Sequence, residues 1–307
     1  MARGKTYIVR VPATTANIGS GFDTLGMSLG LYNVVQFVPD ENVKLEDTMI
    51  DAEGEGVDQI TTGLDNMIIK AMDVTASKAG RTLPGGSMYL INRIPFARGL
   101  GSSSAALASG GFLANLLMGE PFNRKELLDI TAEMEGHPDN AAPAILGGFC
   151  MALIENGNVV AERIDIPSQW KAVVAIPDFE LHTEKARAVL PASYVRSDVV
   201  HNIGAVSFLM AAFMYNKPEY LKFGLDDHVH VPYRLGLIPG SEEVIRSSVK
   251  AGAYGATISG SGPTIIVFSP SDKAHLVGES MVSTFKHHGI TSSYIVLDFD
   301  QSGISAV

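Results

Sequence analysis

The chain has 307 residues, of which 46% are hydrophobic and 18% charged, and its formal charge is −10. This composition excludes a disordered chain, and the negative charge argues against a nucleic-acid or anionic-membrane partner, whose binding needs a basic surface. The single cysteine, Cys150, excludes an internal disulfide, so we expect a cytoplasmic protein.

Targeting and membrane segments are not predicted. Residues 1–11 lack the apolar run and cleavage site of a signal peptide. No apolar run approaches the roughly 18 to 20 residues that span a bilayer. The longest run, Ile203–Met214, is interrupted by Gly204 and Ser207, and we interpret it as a buried core helix.

The first third of the chain alternates between strand and helix patterns. Tyr7–Val11 is rich in β-branched residues and predicts a strand that stops at Pro12, and Leu31–Val38 predicts a second strand. Apolar residues at helical spacing predict a helix over Asn66–Lys78. Ser87–Ile94 alternates in the manner of a strand.

A glycine-rich segment follows, and it leads into an Ala- and Leu-rich run over 105–118 that predicts a helix. A further helix is predicted over Asn123–Glu135, which Gly136 terminates. Two strands joined by a turn at Asn156–Asn158 then lead to residue 166. Composition shifts near 155–168, so we place a domain boundary there, with domains over 1–160 and 161–307.

The second half predicts a mixture of short strands and helices. Helices are expected over 183–189, 202–215, 242–251 and 273–287, and strands over 172–176, 256–258, 264–268 and 294–297.

The segment Pro95–Ala106 carries the most chemical information. A glycine loop entering a helix presents unpaired backbone N–H groups and the positive end of the helix dipole, which together hold a polyphosphate without a basic surface. The alternative is a capped helix after a glycine turn, and loop chemistry alone favours neither interpretation.

Other phosphate-binding motifs are not matched. Gly4-Lys5-Thr6 lacks the first glycine of a Walker loop, and Gly99-x-Gly101 is a weak match to a dinucleotide fingerprint.

Three segments together resemble a known set of motifs. Val11–Asp23, Pro95–Ala106 and Thr257–Thr264 are similar, in order and spacing, to the three signature motifs of the GHMP small-molecule kinases. Within that superfamily the resemblance is greatest to the homoserine kinase family, whose characteristic segment is matched by His137–Pro143 with Gly147-Gly148.

The resemblance implies an α+β fold with the two-domain GHMP kinase architecture. Its N-terminal domain would be like domain 2 of ribosomal protein S5, and its C-terminal domain ferredoxin-like. It also implies ATP- and Mg²⁺-dependent phosphorylation of the L-homoserine hydroxyl, a step of threonine biosynthesis, by a homodimer. The alternatives are another GHMP-type kinase with a mevalonate-like or sugar substrate, or a non-enzymatic metabolite sensor.

The resemblance also assigns nucleotide and metal residues. Nucleotide contacts fall on Asn66, Pro95, Arg98, Gly99, Leu100, Gly101, Ser102, Ser103, Ser104 and Ala105. A helix-capping role is an equally good interpretation of Asn66. The Mg²⁺ ligands would be Ser104 or Ser103 and one carboxylate, from Glu135 or Glu133. These two glutamates are about 200° apart around a helix and cannot both face the site.

Substrate contacts are expected at Asn17, Asp23, His137, Asp139, Arg187, Arg234 and Gly260. Arginines suit the planar carboxylate of an amino acid, while carboxylates and amides suit its ammonium and hydroxyl. Asp139 is the candidate catalytic base. If Asn140 fills that position instead, the proton would pass to the γ-phosphate or to Asp23.

Two other patterns were considered. His228 and His230 would share one face of a strand and could be two metal ligands, but no third ligand is evident in the sequence, and structural or surface histidines are the favoured interpretation. Gly110-Gly111 lies inside a predicted helix and indicates close packing against another element.

Overall fold

The computed structural model describes residues 5–307, so the first four residues of the segment assessed for a signal peptide lie outside the described part. The N-terminal half contains β1 (Tyr7–Ala16), β2 (Leu25–Lys44), β3 (Met49–Gly54), α1 (Met67–Lys78), β4 (Pro84–Asn92), α2 (Ser102–Leu117), α3 (Arg124–Glu135), α4 (Ala141–Leu146), β5 (Phe149–Glu155) and β6 (Asn158–Ile164). The C-terminal half contains β7 (Trp170–Pro177), α5 (Thr183–Ala188), α6 (Arg196–Met214), α7 (Leu221–Gly224), α8 (Val231–Leu235), α9 (Ser241–Lys250), β8 (Gly255–Ile258), β9 (Ile265–Pro270), α10 (Ala274–His287), β10 (Ser292–Leu297) and β11 (Ser305–Ala306).

The first sheet has seven strands in the order β11-β1-β2-β4-β3, with β5 and β6 attached through β2. Its pairs are antiparallel except β3 with β4. Helices α1 and α2 pack against each other, and α2 lies against β1. The core between them includes Val9, Phe37, Leu90, Leu113 and Leu128. This layer holds the glycine loop rigidly between β4 and α2.

The second sheet has four antiparallel strands in the order β10-β7-β9-β8. With α9 before β8 and α10 between β9 and β10, this is the βαββαβ order of a ferredoxin-like unit. The α+β expectation is therefore confirmed. The boundary at residue 160 stays a prediction, because the β5–β6 hairpin extends to Ile164 and β11 returns to pair with β1.

Local capping explains where two of the three predicted N-terminal helices begin. The Asn66 side chain accepts from the N–H groups of Ile68 and Ile69 at the start of α1. Asn123 and Glu126 form a capping box at the start of α3, which ends at the left-handed Gly136.

The predicted bounds of the first two strands were wrong. β1 continues through Pro12 to Ala16, because a register shift after Pro12 lets the strand bend while its pairing with β2 resumes. β2 begins at Leu25, six residues before the predicted start. Residues 25–30 alternate apolar with small residues, and there β2 pairs with β1 and β5.

The prediction that Ile203–Met214 is a buried core helix was also wrong. α6 buries only the side formed by Ala205, Leu209, Ala212 and Phe213, and it exposes an apolar opposite side. By length and composition alone α6 would also fit a membrane span. Its buried side packs on the aromatic core around Trp170 and Phe268, which accounts for the apolar content of that side.

Gly110 confirms the expected close packing within α2. A Cβ there would overlap the backbone oxygen of Ile68 and lie 2.8 Å from the Ala71 Cβ. A Cβ on the adjacent Gly111 would meet nothing closer than the Thr75 hydroxyl at 3.3 Å. α1 and α2 therefore approach each other at Gly110.

We expect Gly110→Ala to lower the free energy of unfolding by about 2 kcal/mol, because overpacking outweighs the gain in helix propensity of about 1 kcal/mol. Urea denaturation measures the effect. Gly111→Ala is the matched control and should change stability by less than about 1 kcal/mol. Equal effects of the two substitutions would contradict a close approach at Gly110.

Candidate active site

Backbone hydrogen bonds hold three distant segments together at one point. The Thr14 N–H donates to the Leu100 carbonyl at 3.1 Å, and the Gly260 N–H donates to the Ala16 carbonyl at 2.9 Å. The buried Ser259 hydroxyl lies 2.6 Å from the Gly99 carbonyl, to which it donates. The end of β1, the glycine loop and the β8–β9 turn thus form a single unit.

The glycine loop fits only without side chains at two positions. Gly99 and Gly101 both have left-handed backbones, with φ of 74° and 71°. A Cβ on Gly99 would overlap the Ser259 carbonyl, and one on Gly101 would overlap the Thr14 hydroxyl. Gly101 is the N-cap of α2, and no side chain caps that end. The first-turn N–H groups and the helix dipole are thus available to an anion.

Two cavities adjoin the start of α2. One has a volume of about 360 Å³ and is predominantly apolar, with Val35, Ile60, Leu90 and Phe96 among its lining residues. The other, of about 240 Å³, is more polar. Both are lined by Ala97, Ser102 and Ser103. A ligand that fills both cavities must pass across the N-terminus of α2.

Asn66 lies in the wall of the apolar cavity, where its amide is fully engaged. Its Oδ1 caps α1, and its Nδ2 donates to the Thr61 carbonyl at 3.0 Å. Within residues 5–307 the geometry therefore matches the helix-cap interpretation.

A serine and a carboxylate with unused oxygens lie beside the loop. The Ser103 hydroxyl donates to Glu135 Oε1 at 2.7 Å. Glu135 Oε2 and Ser104 Oγ are buried without a hydrogen-bond partner in the described chain. Glu133 instead pairs with Lys78 at 2.7 Å and is largely exposed. Unpartnered oxygens are what a hard cation requires, so Ser104 and Glu135 fit a Mg²⁺ ion and Glu133 does not.

Asp139 is buried at the start of α4 with one oxygen unused. Its Oδ1 accepts from His137 Nδ1 at 2.8 Å and from the Asn140 N–H at 3.0 Å. Its Oδ2 is buried and has no partner among the described residues. The hydrogen bond to Asp139 raises the pKa of His137. Asn140 differs, because its Oδ1 already accepts from the Thr14 hydroxyl.

Asp23 and Arg187 form a two-point ion pair, at 2.7 and 2.9 Å. The Asp23 N–H donates to Asn17 Oδ1, and both Asn17 and Asp23 have left-handed backbones. Hydrogen bonding to Asp23 raises the pKa of Arg187. The ion pair therefore fixes the Arg187 guanidinium in the wall of the polar cavity and the Asp23 carboxylate next to it.

Arg234 is buried and has no carboxylate salt bridge within residues 5–307. Its guanidinium donates to the carbonyls of Ala186 and Gly260, at 3.2 Å each. Burial, followed by the charge of Arg187, lowers the pKa of Arg234 to about 10. It remains protonated at neutral pH, so the polar cavity contains a positive charge that no carboxylate of the described residues contacts directly.

His230 and Phe22 support Arg234, and no local sequence pattern indicated this arrangement. Phe22 stacks on His230 at 5.1 Å, and the Arg234 guanidinium lies 5.1 Å from the Phe22 ring. His230 donates from Nε2 to the Gly19 carbonyl and accepts from Arg234 at Nδ1. Burial lowers the pKa of His230 to about 4, so it is neutral. The expectation that it shares a strand face with His228 was wrong, since residues 225–230 form no strand.

The structure brings most of the predicted residues to the polar cavity. Its wall includes Asn17, Pro95, Arg98, Gly99, Leu100, Gly101, Ser102, Ser103, Glu135, His137, Asn140, Arg187, Arg234 and Gly260. Asp23 and Asp139 do not line this cavity, but they are hydrogen-bonded to Arg187 and His137, which do. Ser104 and Ala105 lie in the first turn of α2, behind the loop. Glu133 lies apart. Sequence reasoning missed the apolar lining of the larger cavity.

Comparison with known proteins agrees with this geometry. The family model for the N-terminal domain of GHMP kinases matches residues 66–148, and the C-terminal model matches residues 219–287. The homoserine kinase of Carboxydothermus hydrogenoformans is 41% identical over 295 residues, covering 96% of this chain and 95% of that protein. The homoserine kinase of Synechocystis is 40% identical over 301 residues, covering 97% of each. The chain belongs to the homoserine kinase family.

Solved structures extend the likeness to the fold. The crystal structure of homoserine kinase from Cytophaga hutchinsonii has a TM-score of 0.90 and 28% identity, covering 100% of this chain and 99% of that one. A mevalonate kinase from L. major, with a TM-score of 0.72 and 15% identity, shares the fold alone. The two-domain GHMP kinase architecture and kinase activity expected from the sequence are thus confirmed, and ATP is the implied phosphate donor.

We expect Gly101→Ala to weaken binding of a non-hydrolysable ATP analogue at least about tenfold, because the new Cβ overlaps Thr14 and displaces the loop from the start of α2. Titration calorimetry measures the affinity. Gly80→Ala is the control, since Gly80 has a similar φ of 66° but open space around its Cβ position. Unchanged nucleotide affinity in Gly101→Ala would contradict the assignment of the loop.

Proposed function

We propose that the protein transfers the γ-phosphoryl group of ATP to the side-chain hydroxyl of L-homoserine. The observation that carries the proposal is the shared wall of the two cavities, which places the N-terminus of α2 between an apolar and a polar compartment. The nucleotide base would occupy the apolar cavity, its phosphates would lie at Gly99–Ser104, and the amino acid would occupy the polar cavity.

The charges of the polar cavity suit an amino acid. Arg234, buried without a carboxylate partner, would bind the substrate carboxylate together with Arg187. Asp23 and the Asn17 amide would receive the ammonium group. Because Asp23 already orients Arg187, the site would be preorganised for a zwitterion. The paired arginines favour this substrate over a sugar or an uncharged polyol.

We assign the base to Asp139. Its unpartnered Oδ2 would accept the proton of the substrate hydroxyl as the oxygen attacks the γ-phosphorus, while His137 continues to hold Oδ1. Asn140 cannot take a proton, and its Oδ1 is occupied by Thr14. Phosphoryl transfer depends mainly on positioning and charge neutralisation, so a modest base is sufficient.

We assign the Mg²⁺ site to Ser104 and Glu135, on the strength of their unpartnered buried oxygens. Bound there, Mg²⁺ would neutralise charge on the β- and γ-phosphates. Ser103 would orient Glu135 through their hydrogen bond. Arg98, whose buried NH1 has no partner in the described chain, would face the same phosphates.

A coupled assay of ADP release with a panel of amino acids, polyols, mevalonate and sugars tests the activity. We expect ADP release only with L-homoserine, ATP and Mg²⁺ together. We also expect Arg187→Ala to raise the homoserine KM at least about tenfold with ATP affinity retained, because it loses a charge-assisted contact. Turnover with a sugar or mevalonate but not with homoserine would refute the proposal.

The two glutamates of α3 provide a matched pair for the metal assignment. We expect Glu135→Gln to lower kcat/KM at least about a hundredfold and to raise the Mg²⁺ concentration for half-maximal rate, since a cation ligand is lost. Glu133→Gln removes a carboxylate two residues away that pairs only with Lys78, and it should leave the rate within about twofold. The opposite ranking would assign the metal to Glu133.

We further propose that the product enters threonine biosynthesis and that the enzyme works in the cytoplasm, where ATP is available. The thiol of Cys150 is suited to that compartment because it is buried and free. Burial raises its pKa to about 12, which suppresses the reactive thiolate.

We propose a homodimer that buries the exposed side of α6. Val200, Ile203 and Met214 are more than half exposed there, and the small residues Gly204 and Ala211 on the same side allow a second helix to approach. We expect sedimentation to give twice the chain mass and Ile203→Arg to give the monomer. Leu153→Arg, on the exposed β5–β6 hairpin, is the control and should remain dimeric.

A further inference from the structure

Three metal-binding side chains converge outside the active site. His201 of α6 lies beside Asp226 and His228, which belong to the segment between α7 and α8. One donor atom of each lies within 4.8 Å of the other two. The imidazole rings of His201 and His228 stack at 3.9 Å, with an angle of 14° between their planes. No local sequence pattern indicates this group, because His201 lies 25 residues before Asp226 in the chain.

We propose that His201, Asp226 and His228 bind a zinc ion. Imidazole nitrogens with a carboxylate oxygen suit Zn²⁺ and similar transition metals, whereas Mg²⁺ and Ca²⁺ prefer all-oxygen sites. Three protein ligands satisfy zinc when water fills the fourth position.

A carboxylate behind His228 supports the assignment independently. The Nδ1 atom of His228 lies 3.1 Å from Asp198 Oδ1, on the turn of α6 that precedes His201. A proton on Nδ1, shared with Asp198, fixes the tautomer and leaves the Nε2 lone pair for a metal. This carboxylate–histidine arrangement is the usual support for a zinc-bound imidazole.

The spacing and exposure also suit a cation. Tetrahedral zinc bonds of about 2.0 to 2.1 Å separate neighbouring donor atoms by about 3.3 Å. His201 Nε2 lies 3.2 Å from Asp226 Oδ2, and it also lies 3.0 Å from the Asp226 carbonyl, to which it donates. Zinc would replace that proton. The side chains of His201, Asp226 and His228 are 36%, 61% and 39% exposed, so they can close around an ion from solvent.

The ion would strengthen the attachment of α6 to the loop that contains Ser20 and precedes Asp23. Asn202, next to His201, accepts from the His228 N–H at 3.0 Å and donates to the Ser20 carbonyl at 3.3 Å. Zinc would thus brace a connection that already joins α6, residues 226–228 and the loop before Asp23. The role of the zinc ion would be structural, and the existence of the zinc site does not depend on the identity of the proposed substrate.

Titration calorimetry of the metal-stripped, nucleotide-free protein with ZnCl₂ tests the site. We expect one equivalent of Zn²⁺ to bind, and slower amide hydrogen exchange at residues 226–231 in its presence. His201→Gln, His228→Gln and the exposed, isosteric Asp226→Asn should each weaken binding at least about tenfold. Asp198→Asn should weaken it by about tenfold, through the orientation of His228.

His288→Gln is the matched control, because His288 also pairs with an exposed carboxylate, at 2.7 Å from Glu243, but within residues 5–307 it belongs to no group of three converging metal-binding side chains. Its zinc affinity should equal that of the unaltered chain. Zinc binding that survives in both His201→Gln and His228→Gln would place the ion elsewhere and overturn the proposal. So would the absence of binding at about 100 μM Zn²⁺, or displacement of the ion by millimolar Mg²⁺.

Discussion

The contact of three chain segments at the glycine loop is the constraint on which the site depends. Residues 14–16, 99–101 and 259–260 are joined by backbone and serine hydrogen bonds in a space that excludes a Cβ on Gly99 or Gly101. Those bonds fix the start of α2, and with it the direction of the unpaired N–H groups. The two cavities meet there because the same backbone forms a wall of each.

Charge is arranged differently on the two sides of that loop. On the α3 side, buried oxygens of Ser104, Glu135 and Asp139 have no partners within residues 5–307. On the α8 side, Arg234 keeps a buried positive charge that forms no salt bridge with a carboxylate of the described chain. Buried polar groups without partners are costly, and they cluster where a ligand completes them. In the function that we propose, these groups would be completed by a charged substrate and its phosphate donor.

The ferredoxin-like half contributes to this site through packing as well as through charge. Phe22 lies against His230 and Arg234, and His230 holds the Gly19 carbonyl, so the loop before Asp23 is fastened to α8. Asn202 fastens the same loop to α6. A change in α6 or in residues 226–230 therefore reaches the substrate residues through a few short contacts.

Local sequence was sufficient for the features whose physical cause is local. Asn66 and Asn123 cap helices, Gly136 ends one, and the order strand, glycine loop, helix follows from residue types within about ten positions. The three motifs were also sufficient to indicate the family. The α+β architecture followed from that resemblance, and the order of the strands then confirmed it.

Other features follow from contacts between distant residues, and no local pattern encodes them. β2 starts early because β1 and β5 pair with it, and α6 exposes an apolar side that its composition assigns to a core. The sequence does not distinguish Glu133 from Glu135, and only the folded chain shows that Glu133 pairs with Lys78 whereas Glu135 accepts from Ser103 beside the glycine loop. His201 meets His228 because α6 packs against a segment 25 residues further along the chain. The sequence by itself determined the family and the order of strand, glycine loop and helix, and it predicted most of the residues that line the polar cavity. Tertiary structure decided which buried side chains keep unpaired oxygens or charges, because that depends on neighbours brought together by folding.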